Sequence, residues 1–434
     1  MKIILILLDG IGDRSYKSLT HRTPLQAAET PNLNRMAASG SNGLFHTASL
    51  GQCLPSETAH FLLFGYDAET FPGRGLLEAV GENIAFDDTD VLSLAHLVSV
   101  EWEGDVPVLR KGRKALEGDF KEMRKLYETI STYETEGVRF RICHTHRNDA
   151  ILVMSGAVSP HISDSDPMIH GEPMAKVFPI VGNPEPKPAA RTAKAINRYL
   201  SHCYNLLKDH DINVRRAAKA SSPANFLATQ RAGRRVPQEP FGKRWGLSGA
   251  LIASGSIYAG LAHELGLDFF EAEDSKDPAK DLRERIQAAI DGPDHDFIHV
   301  HTKVPDEAAH TGDPATKVAA ITALDRGLGI LCMALETRDD LLVAVTGDHS
   351  TPSISSLIHS GEPVPITIIG PNVRRDEVNS FDEVSVGRGC LGLLRGKELM
   401  YMLLNYADRS SLMGHRLGPD KRAYVPKDYE TFKR

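Results

Sequence analysis

Short apolar runs recur along the chain, each stopped by turn residues, and longer stretches with apolar positions at helical spacing lie between them. The first run, Ile3 to Leu8, stops at Asp9 with no small-residue cleavage site behind it, so it reads as a buried strand rather than a signal peptide. Ala250–Ser254, Phe297–His301, Leu341–Thr346 and Pro365–Ile369 repeat the pattern. Thr30 and Pro31 open a helix that Gly40 closes, with threonine as N-cap and proline at the first helical position. Thr316–Leu335 carries a second helical pattern. Strands alternating with helices predict an α/β fold whose mostly parallel sheet is covered on both faces. No stretch is expected to approach the roughly 20 apolar residues of a membrane span.

From about Asp90 to Pro240 the pattern changes: charge rises, arginines cluster at Arg215-Arg216 and Arg231–Arg235, and a separate strand is predicted at Ala150–Val153. With 434 residues, two domains are expected. Asp9 and Ser56 find no chemical partners until after Asp296, so one site must be assembled from both ends of the chain. This predicts a core of residues 1–90 and 241–434, interrupted by an inserted domain of residues 91–240. Two consecutive domains meeting near Pro240 are the alternative.

Composition narrows the partners without choosing a function. Hydrophobic content of 41% and charged content of 25% are those of a folded, soluble chain. A formal charge of −7 provides no broad basic surface for nucleic acid. Five scattered cysteines with no CxxC pair fit a reducing cytoplasm.

The chemistry is carried by four separated segments. Asp9 and Gly10 end the first strand, where open parallel sheets bind ligands; alone, such an aspartate is an ordinary turn residue. Asp348 and His349 follow Leu341–Thr346 at a glycine turn, with His359 eleven residues beyond Asp348. Asp306 and His310 are four apart, which on a helix puts both on one face, as two ligands of one ion need. An exposed charge pair and a surface histidine are the plain readings of that pair and of His359. Ser56 follows Pro55 at the start of a predicted helix, where backbone N–H groups favour a phosphoryl group. A plain N-cap serine is the alternative. Asp and His donors without a thiolate suit Mn, Zn, Co or Mg, and a divalent ion would activate the serine hydroxyl.

Asp9-Gly10, Thr23-Pro24-Leu25, Thr30-Pro31-Asn32-Leu33, Pro55-Ser56-Glu57-Thr58-Ala59-His60, Phe64-Gly65-Tyr66-Asp67, Gly73-Arg74-Gly75, Glu78-Ala79, Asp306 to His310 and Thr346 to Pro352 together resemble the archaeal-type cofactor-independent phosphoglycerate mutases of the alkaline phosphatase superfamily. Ser163 to Pro167, Asn213 to Arg216, Ala224-Asn225, Arg231-Ala232-Gly233 and Phe381-Asp382-Glu383 extend the resemblance over most of the chain. It implies an alkaline-phosphatase-like core with an inserted α+β cap and two divalent ions, Mn foremost. Asp9, Ser56, Asp348 and His349 would form one site, and Asp306, His310 and His359 the other. Ser56 would become phosphoserine while 3-phosphoglycerate and 2-phosphoglycerate interconvert. Arg74, Arg147, Arg216 and Arg231, with Asp164 and Asp166, would face the small phosphorylated acid.

The cap departs from the family pattern. A Phe-Arg-Cys-Asn-Phe-like strand is replaced by Ser93-Leu94-Ala95-His96-Leu97, exchanging an arginine and an asparagine for Leu94 and His96. An Arg-Arg-Ala-Gly-Arg-like turn becomes Arg110-Lys111-Gly112-Arg113, and a Gly-Ala-Thr-Gly-like element becomes Glu273-Asp274-Ser275-Lys276. These exchanges leave open a phosphatase, a phosphonate hydrolase or a mutase for another phosphorylated acid. A catalytically silent metal-binding protein is a third reading.

Overall fold

The structure, a computed structural model, describes residues 1–434 apart from 114, 117, 118 and 293. It divides into two compact units, Met1–Phe71 with Gln238–Arg434, and Pro72–Pro237. The expected boundaries lay at 90/91 and 240/241. The first falls earlier because helix Arg74–Gly81 is built to lie on the strand of the second unit. A Cβ at Gly75 would sit 2.8 Å from the Leu92 carbonyl oxygen, and one at Gly73, with φ of 93°, would sit 2.7 Å from Gly233 Cα. Only glycine allows that approach.

The first unit is organised by an eight-stranded sheet in the order Asp268–Glu271, Gly249–Ala253, Phe297–Thr302, Lys2–Leu8, Leu341–Thr346, Val364–Ile369, Ser41–His46 and Gly392–Arg395. All pairings are parallel except the two made by Val364–Ile369. Every residue of Gly249–Ala253, Phe297–Thr302, Leu341–Thr346 and Val364–Ile369 is buried, with no alternation. Such strands need cover on both faces, the reason their sequences read as continuous apolar runs. Phe297–Thr302, Lys2–Leu8 and Leu341–Thr346 are adjacent and parallel, so their carboxyl ends lie along one sheet edge.

Helix Pro31–Ser39 begins at proline as expected, but the Thr30 hydroxyl makes no capping bond. Helix Pro314–Thr337 corrects the expectation that no stretch approaches membrane-spanning character: it has 24 residues, with a mean hydropathy of 1.7 over its most apolar window. Its Ile321, Leu324, Leu328 and Leu331 are buried. Asp325, buried on this helix, accepts the Leu33 and Asn32 N–H groups at 2.8 and 3.1 Å, and Lys317 is wholly buried against Asp13.

The second unit is an antiparallel sheet with helices. Its long strand Val91–Glu103 pairs with Asp149–Gly156, Phe226–Gly233 and Val106–Lys111, and Val138–His144 joins Asp149–Gly156 to Thr132–Thr135. Phe120–Thr129 and Pro186–Leu207 contribute Met123, Leu126, Ile196 and Tyr199 to a separate core with Phe140 and Leu152. The predicted strand Ala150–Val153 lies within Asp149–Gly156.

Candidate active site and metal centre

Asp9, Asp306 and Asp348 each follow one of the three adjacent parallel strands, and the sheet order brings them together. Helix Val304–Ala309 carries Asp306, with His310 as its C-cap. His310 Nε2 and His359 Nε2 lie 3.3 and 3.4 Å from Asp306 Oδ1. Ser56 is the first residue of helix Ser56–Leu63, behind Pro55 at the N-cap. Its hydroxyl lies 3.1 Å from His349 Nε2, 3.4 Å from Asp9 Oδ1 and 3.4 Å from Lys303 Nζ. The N-cap alternative is therefore replaced by a hydroxyl aimed at charged groups.

The hydrogen-bond network assigns the histidine tautomers. His359 Nδ1 donates to the Leu54 carbonyl at 2.7 Å, so its Nε2 lone pair faces the Asp306 carboxylate. Thr351 Oγ1 donates to Asp306 Oδ1 at 2.8 Å and accepts from His349 Nδ1 at 3.2 Å. The His349 Nε2 lone pair is thereby turned toward Ser56, Asp9 and Asp348. Burial, the largest influence, lowers the His349 pKa to about 3 and keeps the ring neutral. His60 is likewise lowered to about 3, chiefly by burial, and its Nδ1 donates to the Ser56 carbonyl at 2.8 Å.

The carboxylates carry opposite perturbations. Burial opposes ionisation of Asp9, but the Lys303 ammonium and the His301 hydrogen bond hold it well below the ordinary range. Burial also opposes ionisation of Asp306, which His310, His359 and Lys303 hold low. Asp348 is pushed well above its ordinary value, first by burial and then by the charge of Asp9. Asp348 Oδ2 is buried without a hydrogen-bond partner, 3.2 Å from His349 Nε2. Converging lone pairs and carboxylates with an orphaned buried oxygen need positive charge at their centre. A divalent cation fits this donor set.

Ligand atoms of Asp306, His310 and His359 lie within 4.8 Å of one another, as do those of Asp9, Asp306 and His349. Asp306 thus joins both groups, whereas the sequence resemblance placed it with His310 and His359 alone. Sequence reasoning missed Lys303, His60, His301, Tyr258 and Thr351. His60 and Thr351 stand inside the quoted motifs without a role assigned to them, and Lys303 lies just past a strand end, three residues before Asp306.

Gly10 lets the carboxyl-edge loop pass through the site. Its φ is 66°, its N–H donates to Asp348 Oδ1 at 3.0 Å, and a Cβ there would lie 2.8 Å from Asp306 Cβ. Gly10→Ala is expected to cost about 1–2 kcal/mol from the left-handed backbone alone, with collision against Asp306 adding to it. Urea denaturation of the variant measures the loss.

In the second unit several of the remaining predicted residues have partners of their own. Arg74 Nε pairs with Glu78 at 2.7 Å, and Arg147 is exposed in a left-handed turn. Arg216 is buried, bonded to the Ser222 carbonyl at 2.9 Å and to Glu122 at 3.2 Å. Asp164 accepts the Arg231 N–H at 2.7 Å. Asp166 accepts from His96 at 2.7 Å and from Gln230 at 2.6 Å, so His96 engages an acid of its own unit. Leu94 is buried between Asp149–Gly156 and Phe226–Gly233.

Residues 1–406 match the Metalloenzyme superfamily, which agrees with the donor set and makes the chain a metal-dependent enzyme by class. A relative from Methanocaldococcus jannaschii, 2,3-bisphosphoglycerate-independent phosphoglycerate mutase 2, is 42% identical over 437 residues, covering 99% of each chain. Among solved structures, a Pyrococcus horikoshii protein is similar with a TM-score of 0.75 and 28% identity, over 95% of this chain and 99% of that one. The cofactor-independent phosphoglycerate mutase of Thermoplasma acidophilum follows at a TM-score of 0.61 and 31% identity, over 94% and 100%. The chain belongs to the family of 2,3-bisphosphoglycerate-independent phosphoglycerate mutases.

Proposed function

We propose that this protein interconverts 3-phosphoglycerate and 2-phosphoglycerate through a phosphoserine at Ser56. The observation that carries the reading is the Ser56 hydroxyl at a helix start, between His349, Asp9 and Lys303. Two divalent ions, Mn foremost, would be held by Asp9, Ser56, Asp348 and His349 and by Asp306, His310 and His359, with Asp306 within reach of both. Such ions supply a lowered serine pKa and neutralise phosphoryl charge. Ser56 gives up its proton and attacks phosphorus as the substrate's P–O bond breaks, the departing oxygen taking up a proton; the other glycerate hydroxyl then loses its proton and attacks the phosphoserine, whose Ser56 O–P bond breaks to restore the serine hydroxyl. Lys303 brings a cation to the phosphoryl oxygens, and the start of helix Ser56–Leu63 adds its dipole.

Arg74, Arg147 and Arg231 are the candidates for the substrate's carboxylate and phosphate, which a guanidinium fork binds in bidentate fashion. Asp164, through the Arg231 N–H, orients one of them. Arg216, bonded to Glu122, and Asp166, which accepts from His96 and Gln230, are candidates beside them. A cytoplasmic location fits five free thiols.

Incubation of the Mn-loaded protein with 3-phosphoglycerate tests the reading. The expected product is 2-phosphoglycerate with little free phosphate; inorganic phosphate as the dominant product would identify a hydrolase instead.

A further inference from the structure

Asp9 has two carboxylate oxygens in different surroundings. Oδ1 faces the reacting groups, 3.4 Å from Ser56 Oγ and 3.5 Å from His349 Nε2. Oδ2 accepts from Tyr258 OH at 3.0 Å and from His301 Nε2 at 3.0 Å, with the Lys303 ammonium 3.7 Å away. Both donors are buried. His301 Nδ1 is buried with no partner, so the ring's single proton sits on Nε2 and is spent on Asp9. The two rings lie against each other with centroids 4.1 Å apart, and each also packs on His60, at 5.1 Å. Neither ring can turn away without displacing the other.

We infer that Tyr258 and His301 are positioning residues that lock Asp9 Oδ2, so that Asp9 presents a single oxygen, Oδ1, to the divalent cation beside Ser56. The inference rests on the metal-dependent reading above. An aspartate free to rotate offers two oxygens and several poses; one held by two neutral donors offers one oxygen in one pose. Hydrogen-bonding partners of metal ligands typically set affinity by 10–100-fold. A fixed Oδ1 also fixes the place of the cation relative to the Ser56 hydroxyl, which bears on the chemical step rather than on substrate capture.

The test uses full-length, metal-free protein titrated with Mn2+ by calorimetry. Asp9→Asn and His310→Ala serve as reference variants that identify the Ser56-side and Asp306-side binding events. Tyr258→Phe keeps the ring and removes one donor; His301→Leu removes the other with apolar replacement, should Tyr258→Phe pack poorly. The expected result is a loss of about 10–100-fold in Mn2+ affinity at the Ser56-side event alone. A parallel fall in kcat is expected, with KM for 3-phosphoglycerate changed less than about twofold. Unchanged affinity in both variants, or an equal loss at both events, overturns the positioning role. Absence in the wild-type protein of any Mn2+ uptake that Asp9→Asn removes overturns the metal reading itself, a result distinct from the other two.

Discussion

Ser56→Ala is expected to lower kcat for phosphoglycerate interconversion by about five orders of magnitude, the scale on which loss of a covalent nucleophile acts. The same substitution should leave the fold nearly untouched. Ser56 is the first helical residue rather than the cap, and its hydroxyl pairs with side chains of other elements. A serine cap replaced by alanine typically loses about 1 kcal/mol; that cost is not incurred here. The hydroxyl's neighbours are instead His349, Asp9 and Lys303, groups whose convergence has no use in holding a helix. Mass spectrometry of wild-type protein quenched during turnover should find phosphate on the peptide containing Ser56, and the variant should show none. A melting temperature within a few degrees of wild type, together with full loss of turnover, separates chemistry from folding. Appreciable turnover by the alanine variant would exclude the covalent route.

The strands that build this site were readable because they are buried on both faces and so carry unbroken apolar runs, and the acids that matter stand directly behind them. Asp9 and Asp348 are visible for that reason, and Asp306 by its four-residue spacing from His310. Their grouping is not, because it depends on which strands are neighbours: Lys2–Leu8 lies between Phe297–Thr302 and Leu341–Thr346, hundreds of residues away in sequence. The same pairing delivers His301 and Lys303 to Asp9, and helix Ser256–Leu265 delivers Tyr258. His301 and Tyr258 stand in no spacing that announces a role. The domain boundary was misplaced by some twenty residues for a related reason. Composition shifts near Asp90, but helix Arg74–Gly81 has ordinary amphipathic content, and what assigns it is the absence of a side chain at Gly73 and Gly75. The exchange of family residues for Leu94 and His96 also has a local account: Leu94 fills the interior of the second unit, and His96 pairs with Asp166.

Asp306→Asn is expected to remove divalent-metal uptake at both groups and to lower kcat by about three orders of magnitude, the equivalent of several kcal/mol of lost charge stabilisation. The reason is its shared position: Asp306 clusters with His310 and His359 on one side and with Asp9 and His349 on the other. Asparagine keeps the shape and one acceptor oxygen, so Thr351 Oγ1, which donates to Asp306 Oδ1 at 2.8 Å, retains a partner. What disappears is the negative charge facing three cationic or lone-pair-bearing groups, Lys303, His310 and His359. Wild-type protein should gain about 2.7 kcal/mol of stability in Mn2+ at a hundredfold excess over Kd, seen as a rise in melting temperature that a chelator reverses. The variant should show no such rise. His310→Ala, which touches one group only, should keep part of it. An Asp306→Asn protein with an undiminished Mn2+-induced rise would show that the two groups do not share this carboxylate, and that each holds its cation through the remaining ligands.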